Sequence, residues 1–116
     1  MTPKDLAVGL MREVVDENVT AYRTLFSQTS PDAASDQYWK RALALFASLS
    51  DEQRSVFFEV IRQVSVDTTS NVLGVIDGVN TLEEGQAGFI LLYDQDQKLS
   101  GDLQSLFLVE NEGVVR

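Results

Sequence analysis

Two pairs of acids, Glu83 with Glu84 and Asp94 with Asp96, are the residues whose spacing first suggests chemistry. Paired carboxylates can divide the general-acid and general-base roles between them, or hold magnesium. Here they would have to work without help, because the 116 residues include no histidine and no cysteine. That absence removes imidazole bases, thiolate nucleophiles, disulfides and the usual zinc sites. Both acid pairs fall in segments that read as loops, where neighbouring acids are ordinarily solvated, and their spacing singles out no metal. The expectation is therefore no catalytic residue, no cofactor and no metal.

The stretch "DQDQKLSGDL" (94–103) looks at first like a calcium loop. Its fifth position is Lys98 where an oxygen ligand is needed, its sixth is Leu99 instead of glycine, and its twelfth is Ser105 instead of glutamate. A solvated hairpin turn fits better. The other distinctive stretch is "DTTSNVLGVIDGVN" (67–80). A phosphate loop would need G-x-G-x-x-G after a strand, or a glycine loop ending in Lys-Ser/Thr, and neither is present. Ser70, Gly74 and Gly78 instead form a row of small residues four apart, a spacing that lets another backbone approach closely. Asp67 and Asn71 share that line and Asp77 adjoins it. The row is expected either to take ordinary packing from this chain or to floor a groove for a partner. The candidate partner-binding residues are Asp67, Asn71, Gly74, Asp77, Gly78, Asp94 and Asp96.

The formal charge of −9 is unevenly placed. Up to Ser50, five basic residues stand against six acids; from Asp67 onward, nine acids stand against Lys98 and Arg116. Phosphate backbones are bound by lysine and arginine, so nucleic acid is not an expected partner. An acidic half would steer a basic protein instead, or would only keep the chain dissolved. No apolar run is long enough to cross a membrane. Acids interrupt the first 18 residues, unlike a signal peptide, which leads us to expect a cytoplasmic protein.

The elements that must carry these residues are mainly helical. The length suits a single domain spanning 1–116. Val8, Met11, Val15, Val19, Tyr22 and Phe26 recur at the helical period, predicting a helix over about 3–28 that starts at Thr2-Pro3 and is stopped by Pro31. A second helix is expected over 36–49, with Trp39, Leu43 and Phe46 in line and an ion pair between Asp36 and Lys40. Trp39 suits a core aromatic better than an exposed anchor. "SDEQ" (50–53) is a capping box that opens a third helix.

Along that helix Phe57, Ile61, Val64, Thr68, Val72, Val75 and Val79 keep one phase, which predicts a helix over 51–79. Asp77-Gly78 also suits a hairpin turn, so two short strands over 72–82 are the rival. A helix of that length, roughly 43 Å, exceeds the roughly 35 Å diameter of a compact domain. A bend is therefore expected near 65–71, where Ser and Thr can bond back to carbonyls. A β-hairpin over about 88–100 and a short helix over 102–109 complete an α+β, mainly α, chain. The hairpin is too small to stand alone and must lie on the helices.

The segments "LFASLSDEQRSVFFEVIRQVSVDTTSNVLGVIDGV" (45–79) and "YDQDQKLSGDLQSLFL" (93–108) resemble a pattern in small acidic single-domain bacterial proteins. That family carries no assigned activity, so the resemblance implies a bacterial origin and a stand-alone domain and transfers no site residue. The functional expectation is a non-catalytic protein-binding module, immunity- or antitoxin-like, that sequesters a basic partner. The alternatives are a homo-oligomeric (homodimeric) structural protein and, third, a carboxylate-dependent metal-binding enzyme.

Overall fold

The computed structural model describes residues 1–113; the last three residues of the expected 1–116 domain lie outside the described residues. Thr2 and Asp5 cap each other's ends of the first turn, with Pro3 at the first helical position, and open α1 (Pro3–Leu10). The helix continues without a break through a wider π-helical stretch, Met11–Asp16, into α2 (Glu17–Gln28). Together they are the expected first helix. The π stretch places Ala7, rather than Val8, on the buried line with Met11, Val15 and Phe26. Pro31 ends it and begins a 3-10 turn, Pro31–Ala33.

The α3 helix (Gln37–Ser48) starts at Asp36, whose carboxylate accepts from the amides of Tyr38 and Trp39 at 2.8 and 3.2 Å. The expected ion pair of Asp36 with Lys40 is not made among the described residues, because the carboxylate is engaged as the cap. Two residues later the Ser50–Gln53 capping box opens α4 (Asp51–Ile76). Arg54 reaches back from α4 to the last carbonyls of α3, donating to Phe46 and Ala47 at 3.1 and 3.2 Å. Its guanidinium also lies 4.7 Å from the centre of the Phe46 ring.

The α4 helix runs unbroken for 26 residues. The hydroxyls of Ser65 and Thr69 do bond back, to Ile61 O at 2.9 Å and Ser65 O at 2.8 Å, yet the backbone ladder persists through the expected bend. Only a near-spherical molecule would force a break in a helix of that length. The described residues measure 50 × 32 × 24 Å, with a radius of gyration of 17.7 Å, so α4 fits along the long axis. It stops at Ile76, three residues short of the expected end. Gly78 takes φ +81°, Val79 N donates to Gly74 O at 2.9 Å, and Gly78 N donates to Val75 O at 3.1 Å. This is a Schellman motif, so Asp77-Gly78 is a helix terminus and not a hairpin turn.

The hairpin is shorter than expected: β1 (Leu92–Tyr93) pairs antiparallel with β2 (Gln97–Lys98), in the register Leu92↔Lys98 and Tyr93↔Gln97. Asp94 and Gln95 in its tip both take positive φ, 51° and 78°. Buried Leu99 and half-buried Leu91 fasten it to the helices, with Leu99 N donating to Leu91 O at 2.8 Å. The last helix, α5 (Leu103–Glu112), buries Leu103, Phe107 and Asn111, spaced four apart.

Two apolar clusters result. One joins Ala7, Met11 and Val15 to Val66 and Leu73 of α4 and to Leu103 and Phe107 of α5. The other is aromatic and gathers Phe26, Leu43, Phe46 and Phe58 at the α2–α3–α4 end. Phe26 is its hub, with ring centres 5.0 Å from Phe57 and 5.2 Å from Phe46. The α4 helix is common to both.

Candidate functional site

The small-residue row on α4 is covered by this chain. Gln104, in the first turn of α5, donates from Nε2 to Ser70 O at 3.0 Å and to Ser70 Oγ at 3.1 Å. A Cβ on Gly74 would come within 2.9 Å of that Nε2 and within 2.9 Å of Asn80 Nδ2. The missing side chain is what admits the amide. Asp77 completes the junction: its two oxygens accept from Gly101 N and Gln104 N, each at 2.7 Å. Asp77 thus caps α5 from a neighbouring element, while Asp102, at the α5 N-cap, makes no side-chain cap bond.

The seven sequence candidates therefore fall in three places. Gly74, Asp77 and Gly78 belong to the α4–α5 junction and terminus. Asp67, bonded by Gln63 Nε2 at 2.9 Å, and Asn71 lie exposed on the outer side of α4. Asp94 and Asp96 sit exposed at the hairpin tip. Among the described residues, no group of three or more acids is placed to hold a metal ion.

A different surface stands out, and it follows from how α4 serves two cores. Near its start, α4 turns Phe58 inward, with Phe57 and Ile61 half-buried beside it. Further on, the buried positions are Val66, Ser70, Leu73 and Gly74. At 100° per residue, the buried face rotates by roughly a quarter turn or more between the two halves. The single apolar stripe keeps its phase and is left behind. Phe57 and Ile61 pack; Val64 and Val72 are 57% and 54% exposed, Thr68 is exposed, and Val79 is 65% exposed. Val60, beside the stripe, is exposed as well. The stripe is thus packed under its first part, and beyond Thr68 only Val75 is half-buried.

Where the faces diverge, a groove of about 450 Å³ opens. Asn18 and Tyr22 form one wall, Trp39 closes the α3 end, and Phe57, Ile61, Val64 and Thr68 form the α4 side. Trp39 is half-buried, with its ring centre 6.4 Å from Tyr22 and 6.2 Å from Phe26. No charged residue lines this groove. Along α4 from Val60 to Ile76 the only charged residues are Arg62 and Asp67, and both are engaged elsewhere. Arg62 donates to Asn111 Oδ1 at 2.9 Å and lies 3.8 Å from Asp16, beside the π stretch. Depletion of charge with retained aromatics is the composition of a protein-interface centre.

Positive charge collects in a separate hollow that contains Arg23, Arg54 and Asp51. There Arg23 lies 4.6 Å from the Phe58 ring centre. Asp5 is held below the usual carboxylate pKa, first by the Thr2 amide and then by the Thr2 hydroxyl; it serves the α1 cap and is remote from the groove's lining.

The groove escaped the sequence reading because its walls come from three elements. One signal was available: an apolar phase held from Phe57 to Val79 is longer than the partners one small chain can supply. Compared with family models, curated proteins and solved structures, the chain matches none of them.

Proposed function

We propose that this protein is a non-catalytic protein-binding module whose docking surface is the groove between α2 and α4. The observation that carries the reading is an uncharged, aromatic-walled groove, continuous with an exposed valine stripe, on a chain of net charge −9. Apolar surface of this kind seldom stays uncovered in a working molecule. An apolar helix laid into a groove, anchored at positions three and four apart, is the recognition mode it suits. The exposed acids Asp67, Asp94 and Asp96 lie outside the groove and would add only electrostatic steering toward a basic partner.

Trp39, the only tryptophan, is a built-in reporter. Titration with a synthetic amphipathic helix bearing one valine face should give a saturable change in Trp39 emission. Val64→Asp should weaken that binding by about tenfold or more, as expected for a charge placed in an apolar contact. A flat Trp39 signal with neutral-faced and basic-faced peptides alike would overturn the reading.

A further inference from the structure

We infer that the occupant of the groove is a second copy of this chain, laid antiparallel so that each α4 enters the other's groove around a two-fold axis at Thr68. The inference rests on the groove being a docking surface, and it adds the identity of the partner.

The first support is register. Within α4 the stripe positions 61, 64, 68, 72 and 75 are spaced 3, 4, 4, 3, which is the same read in either direction. An isologous interface requires this self-complementarity. Centred on Thr68, Val64 meets Val72 of the other copy and Ile61 meets Val75; Val79 follows the Gly78 terminus and takes no part in the helical register. Ile61 to Val72 and Val64 to Val75 are each eleven residues apart, a repeat close to the period of an ideal helix that calls for only a slight right-handed supercoil.

The second support is shape. The half of the stripe up to Thr68 lines a groove, while in the other half Val72 is uncovered and Val75 half-buried. One molecule therefore carries an apolar groove and, beyond Thr68 on the same helix, an uncovered valine, in the order that antiparallel pairing brings together.

The third is charge. Two copies of a −9 chain can meet only where neither presents an acid. The stripe itself carries no acid: Asp67 falls opposite Thr69 of the other copy, and Glu59 and Asp77, which this register sets opposite each other, lie about 180° round the helix from Thr68. A basic partner would find no carboxylate in the groove to pair with.

The absence of native cysteine makes the test direct. In the full chain, Thr68→Cys should cross-link to a covalent dimer under mild oxidation, because a two-fold axis brings its Cα atoms within the roughly 4–7 Å that a disulfide spans. Ser105→Cys, exposed on α5, should not cross-link. Sedimentation from low to several hundred micromolar should show a monomer–dimer equilibrium that Val72→Asp shifts to monomer. The circular-dichroism melt of that variant should be kept, since Val72 is more than half exposed. A wild-type monomer throughout would overturn the inference; so would a dimer that ignores Val72→Asp and fails to cross-link through residue 68. A monomer whose Trp39 still responds to the amphipathic peptide refutes only the identity of the occupant. A monomer with no such response refutes the docking surface as well.

Discussion

Asp77 shows how one carboxylate can hold two elements together. One oxygen receives the Gln104 amide in the first turn of α5, a group with no partner in the helix, and the other receives the Gly101 amide just before it. Asp77→Ala should therefore lower stability by about 1–2 kcal/mol, read as a shift in the denaturant midpoint, with early loss of amide protection in α5. Asp5 and Thr2 make a smaller version of the same device at α1. The folded-state pKa of Asp5 lies below its ordinary value of 3.8. Its contribution is thus present above that value and is lost as pH falls through the depressed folded pKa. Thr2→Ala should move the Asp5 titration upward, observable by carboxyl NMR. The helix start at Thr2-Pro3 and the Ser50–Gln53 box were legible because each lies within four residues; the pairing of Thr2 with Asp5 came only with the structure. The partner of Asp77 was not, being 24 and 27 residues away.

At the scale of elements, α4 is the axis of the molecule, and its behaviour follows from having two sets of neighbours. The aromatic cluster takes one face and the α1–α5 cluster another, so burial rotates along a helix whose apolar pattern does not. Arg62 works at the changeover. It ties α4 to Asn111 of α5 and lies 3.6 Å from Met11 Sδ in the π stretch. Arg62→Leu would leave the buried Asn111 amide without its donor and should cost about 1–3 kcal/mol. Hydrogen exchange should show the loss at the C-terminal turns of α5 and in the π stretch, with α3 spared. The existence, order and most boundaries of the helices could be read from periodicity and breakers. The π stretch could not, because "MREVVD" has no composition that distinguishes it from ordinary helix.

At the scale of the whole molecule, the balance between acidity and exposed apolar surface sets what association should look like. A dimer of two −9 chains is opposed by long-range repulsion, so raising salt from low to physiological levels should tighten it. A complex with a basic partner would weaken over the same range. The sign of the salt dependence, measured by sedimentation or fluorescence, thus separates the two kinds of partner. Charge reversal aimed at a basic partner should be confined to Asp67, Asp94 and Asp96, because Asp77 also holds α5. The 50 Å length of the molecule gives α4 room to stay continuous and exposes its outer face over several turns.

The sequence by itself determined the local things: where helices start and stop, that Gly78 would matter for chain direction, and that one apolar phase runs from Phe57 to Val79. These depend on contacts within a turn or two. Only the tertiary structure decided which part of that phase is core and which is surface, since burial depends on what arrives from elsewhere in the chain. It also decided that α5 packs on the row through Gly74, because Gln104 and Asp77 find each other only after the helices are placed. What the fold leaves uncovered is an apolar seam, and the occupant we infer for it is the α4 of a second copy.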